Sequence, residues 1–277
     1  MTKYIFFDLD GTIVDNGTII SEKTDQALRA LRANGHKIFV CTGRTKGYVK
    51  DPNIRKYNFD GYIYGCGTMM EYKDKPVYYY ELDRKIIDKT YDVIIKNDIY
   101  AVYEGKDKLY MSFENDLFHS SHKARLDVIP KLNSQLSYAC KLKQDLGDDL
   151  IDLKSAYPNI VASKVSVYID RPEVRDEFLS VSGEWLSSIS RHNTVFEMVP
   201  YGHSKGQGII EMCKIANIDI NDTICFGDSN NDIEMFKTTK LSICMGNGTD
   251  LAKENASYVT NGIKDGIYDA CKHFDLI

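Results

Sequence analysis

Phe6-Phe7-Asp8-Leu9-Asp10-Gly11-Thr12 decides the fold. The apolar run that starts at Tyr4 reads as a buried strand that stops where the carboxylates begin, so Asp8 and Asp10 are delivered at its carboxyl end. In an extended strand residues i and i+2 lie on the same side, which lets the two acids share a ligand. Like charges that close repel, so the pair calls for a cation, a shared proton or both. Read in isolation, a D-x-D-G is more often a strand ending in a solvated turn, with Gly11 allowing the bend. Calcium of the EF-hand kind is excluded, because that loop needs glycine at the sixth position from the first acid and Ile13 stands there.

Around this stretch lie 277 residues, enough for one large domain or two modest ones. A formal charge of −5 argues against a nucleic-acid binder. Seven cysteines are scattered without a C-x-x-C pair, and Cys41, Cys225 and Cys244 sit in apolar runs that read as buried, reduced thiols. No apolar run approaches the roughly 18 residues that cross a bilayer. Met1-Thr2-Lys3 leads straight into the first strand without a signal-peptide core, so a soluble, reducing, cytoplasmic setting is expected.

Downstream of the acids, Asn16-Gly17 is a hairpin signal that predicts a small flap over them. Ser21 offers an N-cap, Ala27, Leu28 and Leu31 recur at helical spacing, and Gly35 closes the helix. Lys37 to Cys41 is a second buried strand, ending in Thr42-Gly43-Arg44, and strand, helix, strand implies a parallel pair with a right-handed crossover. Asp60 to Tyr64 suits a third strand, and Thr68 to Tyr72 with Val77 to Tyr80 a hairpin turning at Asp74-Lys75. From Asp83 the character changes: an amphipathic helix (Ile86, Ile87, Tyr91, Ile94, Ile95), strand-like runs at Tyr100 to Tyr103 and Leu109 to Phe113, and a helical stretch near Asp116 to Ile129. Pro130 to Asn159 has weak periodicity and receives no assignment.

Val165 to Ile169 alternates as a half-buried strand, Pro172 opens a helix at N1, and Thr194 to Val199 is a strand closed by Pro200-Tyr201-Gly202. The first pattern then resumes: helix Gly206 to Ala216, strand Thr223 to Phe226, helix Asn231 to Thr238, strand Leu241 to Met245, a short helix, and a last one from Gly266 to Phe274. Alternation at both ends with an antiparallel-looking middle predicts an α/β protein. Residues 1–82 and 201–277 form its parallel-sheet core, with helices on both faces, and 83–200 an inserted α+β domain.

Three further stretches fall where a parallel sheet brings them beside Asp8, since ligands bind outside the carboxyl ends of such strands. Thr42-Gly43 offers a hydroxyl and backbone N–H groups suited to a phosphate oxygen, though a plain turn uses the same residues. Lys205 stands at a helix start, where the macrodipole disfavours a cation unless it faces anions. Gly227-Asp228-Ser229-Asn230-Asn231-Asp232 follows a strand and opens a helix, a run of oxygen ligands suited to Mg2+ that is also a plain acidic N-cap. Gly65-Cys66-Gly67 and Gly246-Asn247-Gly248 each begin a G-x-G-x-x-G, but Met70 and Leu251 replace the third glycine, which leaves tight turns. His119 and His122 lack the second pair that zinc needs and read as ordinary histidines.

In this order, each at a strand end, the four stretches resemble the haloacid dehalogenase superfamily of phosphatases: Asp8 to Thr12, Thr42-Gly43, Lys205, and Gly227 to Asp232. The Glu197 to Lys205 run and the insertion before it are similar to the Cof-type branch, whose α/β cap is called class IIB; within that insertion the likeness rests on position and length. The resemblance implies a Rossmann-like core with a cap that closes over substrate. It also implies a Mg2+-dependent phosphatase of small phosphorylated metabolites, sugar phosphates or similar. Asp8 would be the nucleophile forming an aspartyl-phosphate, Asp10 the general acid and base, and Lys205 the cation that eases an anion's approach. Mg2+ would be held by Asp8, Asp228 and the Asp10 carbonyl, and phosphate oxygens by Leu9, Thr42, Gly43, Lys205 and Asn231, with Ser229, Asp232 and Arg44 in support. The alternatives are a phosphomutase-type phosphotransferase or a low-turnover metabolite-binding regulator. The expected partner is a small phosphorylated metabolite, with no nucleic acid or membrane, on a monomer or weak homodimer.

Overall fold

The structure is a computed structural model that describes residues 1–15, 19–49, 52–112, 147–192 and 194–277. In chain order its elements begin with β1 (Tyr4–Phe7), α1 (Glu22–Ala33), β2 (Lys37–Cys41), α2 (Pro52–Arg55), β3 (Gly61–Tyr64), β4 (Met69–Tyr72) and β5 (Lys75–Tyr79). There follow α3 (Arg84–Lys96), β6 (Tyr100–Glu104), β7 (Leu109–Met111), β8 (Leu150–Asp152), α4 (Leu153–Ala156), β9 (Lys164–Tyr168), α5 (Pro172–Ser182), β10 (Leu186–His192) and β11 (Val195–Pro200). The chain ends with α6 (Lys205–Ala216), β12 (Thr223–Gly227), α7 (Ile233–Thr238), β13 (Leu241–Cys244), α8 (Asp250–Glu254), β14 (Tyr258–Val259) and α9 (Gly266–His273). It divides into two units, Met1–Tyr80 with Gly202–Ile277, and Glu81–Tyr201. Sequence reading set the boundaries at 82/83 and 200/201; Leu82 donates its N–H to the Ala162 carbonyl, 2.8 Å away within the second unit.

The first unit is built on a sheet of order β14-β13-β12-β1-β2-β3-β4-β5, parallel from β14 to β3 and antiparallel through β4 and β5. Strand alternation explains its two cores. Ile5 and Phe7 join Ile38 and Val40 under α1 and α9, through Ala27, Leu28, Leu31, Ile267 and Ala270. Phe6 joins Phe39 and Cys41 under α6 and α7, through Ile209, Met212, Met235 and Phe236. Helices therefore cover both faces, and β1 is buried on both sides, as its unbroken apolar run requires. Phe6 stacks on Phe39 at 4.7 Å and Phe7 on Phe226 at 4.9 Å, locking β1 to both neighbours.

Local signals act as read at α1, where Ser21 Oγ accepts the Thr24 N–H at 3.0 Å and Gly35, at φ +83°, follows the C-cap. The β4–β5 hairpin turns at Lys73-Asp74, one residue earlier than expected from Asp74-Lys75. Both residues take positive φ (+50° and +60°), the twist a two-residue hairpin demands, without the glycine or asparagine that would have advertised it. Asn16 and Gly17 lie outside the described residues; on either side of them Asp15 and Ile19 form an antiparallel bridge.

The second unit is a sheet of order β10-β11-β9-β6-β7-β8, antiparallel except for the β7–β8 pair. Helices α3 and α5 pack together, with Ile86, Ile87, Ile94 and Phe178 buried. Two of its strands escaped the sequence reading. β10 is serine-rich (Ser187, Ser188, Ser190) and lacks an apolar alternation, and β8 is only three residues long. Phe113, the helical stretch at 116–129, His119 and His122 lie outside the described residues. Cys41, Cys225 and Cys244 are buried free thiols, as their apolar surroundings predicted. Among the described residues no helix is long and apolar enough to cross a membrane.

Candidate active site

The chain leaves β1 toward β2 and β3 on one side and returns as β12 on the other, so the carboxyl ends of β1 and β12 mark the reversal of strand order. Asp8 and Asp228 are the first residues beyond those ends, and the Asp8 N–H continues the ladder to the Phe226 carbonyl at 2.9 Å. Gly11, at φ +79°, turns the first loop against the second: a Cβ there would stand 2.4 Å from Asp228 Oδ2. Thr12 Oγ1 donates to Asp228 Oδ1 at 3.1 Å.

Lys205 is the first residue of α6, whose N-cap Ser204 accepts the Gln207 N–H. Its side chain is 1% exposed, and Nζ lies 2.7 Å from Asp8 Oδ1 and 2.6 Å from Asp232 Oδ1. Burial works against the ammonium, but Asp232 and then Asp8 outweigh it and hold the Lys205 pKa well above the usual lysine value. The unfavourable helix-start position is thus offset by two carboxylates. Asp8 shows the converse. Burial pushes its carboxyl pKa well above the ordinary range; Lys205 pulls it back, while Asp232, Asp228 and Asp10 add to the rise. Among the described residues four carboxylates face two cations, Lys205 and Arg44, a surplus of negative charge within that set.

That surplus fits a divalent cation. Oxygens of Asp8, Asp228 and Asp232 lie within 4.8 Å of one another. Asp232 is already spent, however: Oδ1 takes Lys205, and Oδ2 accepts the N–H groups of Asp228 and Ser229 at 2.8 Å each. Asp8 and Asp228 are the side chains that could hold a hard cation such as Mg2+, while Asp232 positions Lys205 and the Asp228 backbone. The carboxylate of Asp10 is not in this cluster. Arg44 grips it from two nitrogens, Nε to Oδ2 at 2.7 Å and Nη2 to Oδ1. The expectation that strand alternation aims both acids at one ligand needs correcting, because β1 ends at Phe7 and the acids lie in the turn beyond it.

Among the expected phosphate contacts, Thr42 is buried; its N–H is engaged by the Ile63 carbonyl and its Oγ1 accepts the Arg44 N–H, which fixes the loop that carries Gly43. Leu9 has a buried side chain, and its carbonyl closes the first loop by accepting N–H groups from Thr12 and Val14. On the second loop Ser229 Oγ donates to Asn231 Oδ1 at 2.8 Å. The Asn231 Nδ2 is buried with no hydrogen-bond partner among the described residues. An unsatisfied buried donor is costly, and an incoming anion would satisfy it. Thr12 and Asn247, to which sequence reading gave no role, both reach this site. The only signal for Asn247 was the tight turn at Gly246 to Gly248, which says nothing of what the turn touches.

A family model described as haloacid dehalogenase-like hydrolase matches residues 5–270. The chain belongs to the haloacid dehalogenase-like hydrolase family. It is similar to the YkrA protein of Bacillus subtilis, 25% identical over 277 residues that span 100% of this chain and 99% of that protein. It is also similar to the phosphoglycolate phosphatase of Picrophilus torridus, 27% identical over 278 residues, covering 100% and 93%. Among solved structures it matches a HAD subclass IIB sugar phosphatase, BT4131, with a TM-score of 0.79, 25% identity and complete coverage of both chains. The Cof-type, class IIB assignment, made from the Glu197 to Lys205 run and the position and length of the insertion, agrees with these matches.

Proposed function

We propose that this hydrolase is a Mg2+-dependent phosphatase of small phosphorylated metabolites, sugar phosphates or similar, acting through an aspartyl-phosphate on Asp8. The observation that carries the reading is the buried Asp8–Lys205 contact, which fixes a positive charge on a carboxylate at the carboxyl end of a parallel strand. Carboxylates are weak nucleophiles toward an anionic ester because charge repels charge, and Lys205 relieves that repulsion. Asp8 and Asp228, with the Asp10 carbonyl as a further ligand, would hold Mg2+, which would supply the remaining charge neutralisation when bound.

Asp8 attacks phosphorus, the ester oxygen leaves with a proton from Asp10, whose carboxyl must first be released from Arg44 to carry one, and Asp10 then takes a proton from the water that hydrolyses the aspartyl-phosphate. Thr42, Gly43 and Asn231 hold phosphate oxygens, with the backbone of Leu9 beside them. The Asn231 Nδ2 is the best-supported of these, being a buried donor left without a partner among the described residues. The matched phosphatases support the reaction class, and BT4131 supports a sugar phosphate as substrate.

The test is phosphate release from a panel of phosphorylated metabolites with Mg2+, repeated with EDTA and with Asp8→Asn. Release should stop in both. Persistent turnover by pure Asp8→Asn protein removes Asp8 as nucleophile, and turnover indifferent to EDTA removes the metal.

A further inference from the structure

The two loops that carry Asp8 and Asp228 come from different strands, and a third loop touches both. Asn247 Nδ2 donates to the Gly11 carbonyl at 2.8 Å, bridging 236 residues of sequence. Two residues on, the Thr249 N–H donates to the Asp228 carbonyl at 2.9 Å, and Thr249 Oγ1 donates to Asn230 Oδ1 at 2.7 Å. Between them Gly248 sits so close that a Cβ would stand 2.7 Å from the Asp228 carbonyl. The turn is itself pinned by the Gly248 N–H on the Met245 carbonyl, at the end of β13. One side of this turn therefore holds the backbone just after Asp10, and the other holds the backbone of Asp228.

We infer that the 246–249 turn sets the spacing of the metal-binding carboxylates, with Asn247 as a positioning residue for Mg2+. The inference rests on the metal reading of the proposed function and extends it to residues outside the four motifs. Mg2+ tolerates little departure from octahedral geometry, so two ligand loops that drift apart lose affinity sharply. A neutral amide suits the task, because it draws the Gly11 carbonyl into place without adding a cation that would compete with the metal.

The experiment is calorimetric titration of substrate-free protein with Mg2+, using wild type, Asn247→Ala and Asn255→Ala, together with melting temperatures in EDTA. Asn247 is exposed, so its truncation leaves the core intact. Asn255 makes the same kind of bond within its own segment, to the Leu251 carbonyl at 2.8 Å, and serves as the control. Asn247→Ala should weaken Mg2+ binding about 3- to 10-fold, the loss carried by one positioning hydrogen bond. Its melting temperature in EDTA should match wild type, and Asn255→Ala should bind Mg2+ as wild type does. Unchanged Mg2+ affinity in Asn247→Ala overturns the inference, as does a loss equalled by Asn255→Ala or one accompanied by a lower melting temperature in EDTA. A wild type that binds no Mg2+ instead overturns the metal reading, and this inference with it.

Discussion

Replacing Lys205 by Met keeps most of the volume of a side chain that is 1% exposed and removes only its charge. The structure then holds Asp8 and Asp232 with no ammonium between them, where Nζ had stood 2.7 and 2.6 Å away. Breaking a buried ion pair from one side costs about 3 to 5 kcal/mol. At about 2 to 4 °C per kcal/mol for a domain of this size, the melting temperature should fall by roughly 6 to 20 °C. Turnover should fall by at least about 100-fold, the usual loss when a preorganised donor is removed. Scanning calorimetry and p-nitrophenyl phosphate hydrolysis read the two effects separately. Adding Asp232→Asn closes a double-mutant cycle: the pair should be less destabilised than the two single changes added together, by about 1 to 3 kcal/mol. Strict additivity, or a Lys205→Met protein with wild-type melting and turnover, would refute the claim that this lysine balances the buried acids.

Other outcomes follow from single residues. Gly11→Ala should destabilise the protein by at least the ~1 to 2 kcal/mol of a left-handed alanine, and should weaken Mg2+ binding as the new methyl presses on Asp228; thermal melts with and without Mg2+ read both. Asn231→Ala should raise KM about 3- to 10-fold, with a small fall in melting temperature from the lost Ser229 Oγ–Asn231 Oδ1 hydrogen bond, its Nδ2 having no partner to lose among the described residues; steady-state kinetics decide. His36 accepts the Lys3 N–H at Nδ1 and meets the Leu276 carbonyl at Nε2, and burial lowers its pKa below the usual 6.5. A depressed histidine stabilises fully above its unfolded pKa, and that increment is lost as pH falls through the folded value. Melting temperature should therefore fall on acidification below about pH 6.5, and His36→Asn should flatten that slope.

How much of this was legible depends on whether the deciding forces were local. β1, β2 and β12 could be read because a strand buried on both faces must be apolar throughout, and because the first charge ends it at Asp8 or, after Gly227, at Asp228. Lys205 could be read as facing anions because a cation at a helix start is otherwise unfavourable. Rotamers chosen by distant charges could not be read. Arg44 lies 34 residues from Asp10, and nothing in either stretch says that its fork will take that carboxylate out of the cluster. The same holds for Asp232, whose oxygens are consumed by Lys205 and two backbone amides. β10 failed for a different reason: its pairing with β11 stabilises a serine-rich segment that its own pattern does not mark as extended.

β1 takes its second parallel neighbour from Thr223–Phe226, in a register that pairs Tyr4 with Thr223, and the Lys3–Asp222 ion pair closes the same edge. During translation the flank of β1 that β12 covers stays open until residues 223–226 have been made. Bringing such distant partners together is slow, because the loop-closure entropy is lost before the contacts form. Asp8 acquires Lys205 and Asp228 only after that late arrival. A nascent chain that ends before residue 205 therefore carries Asp8 without the ammonium that is 2.7 Å from it in the finished unit.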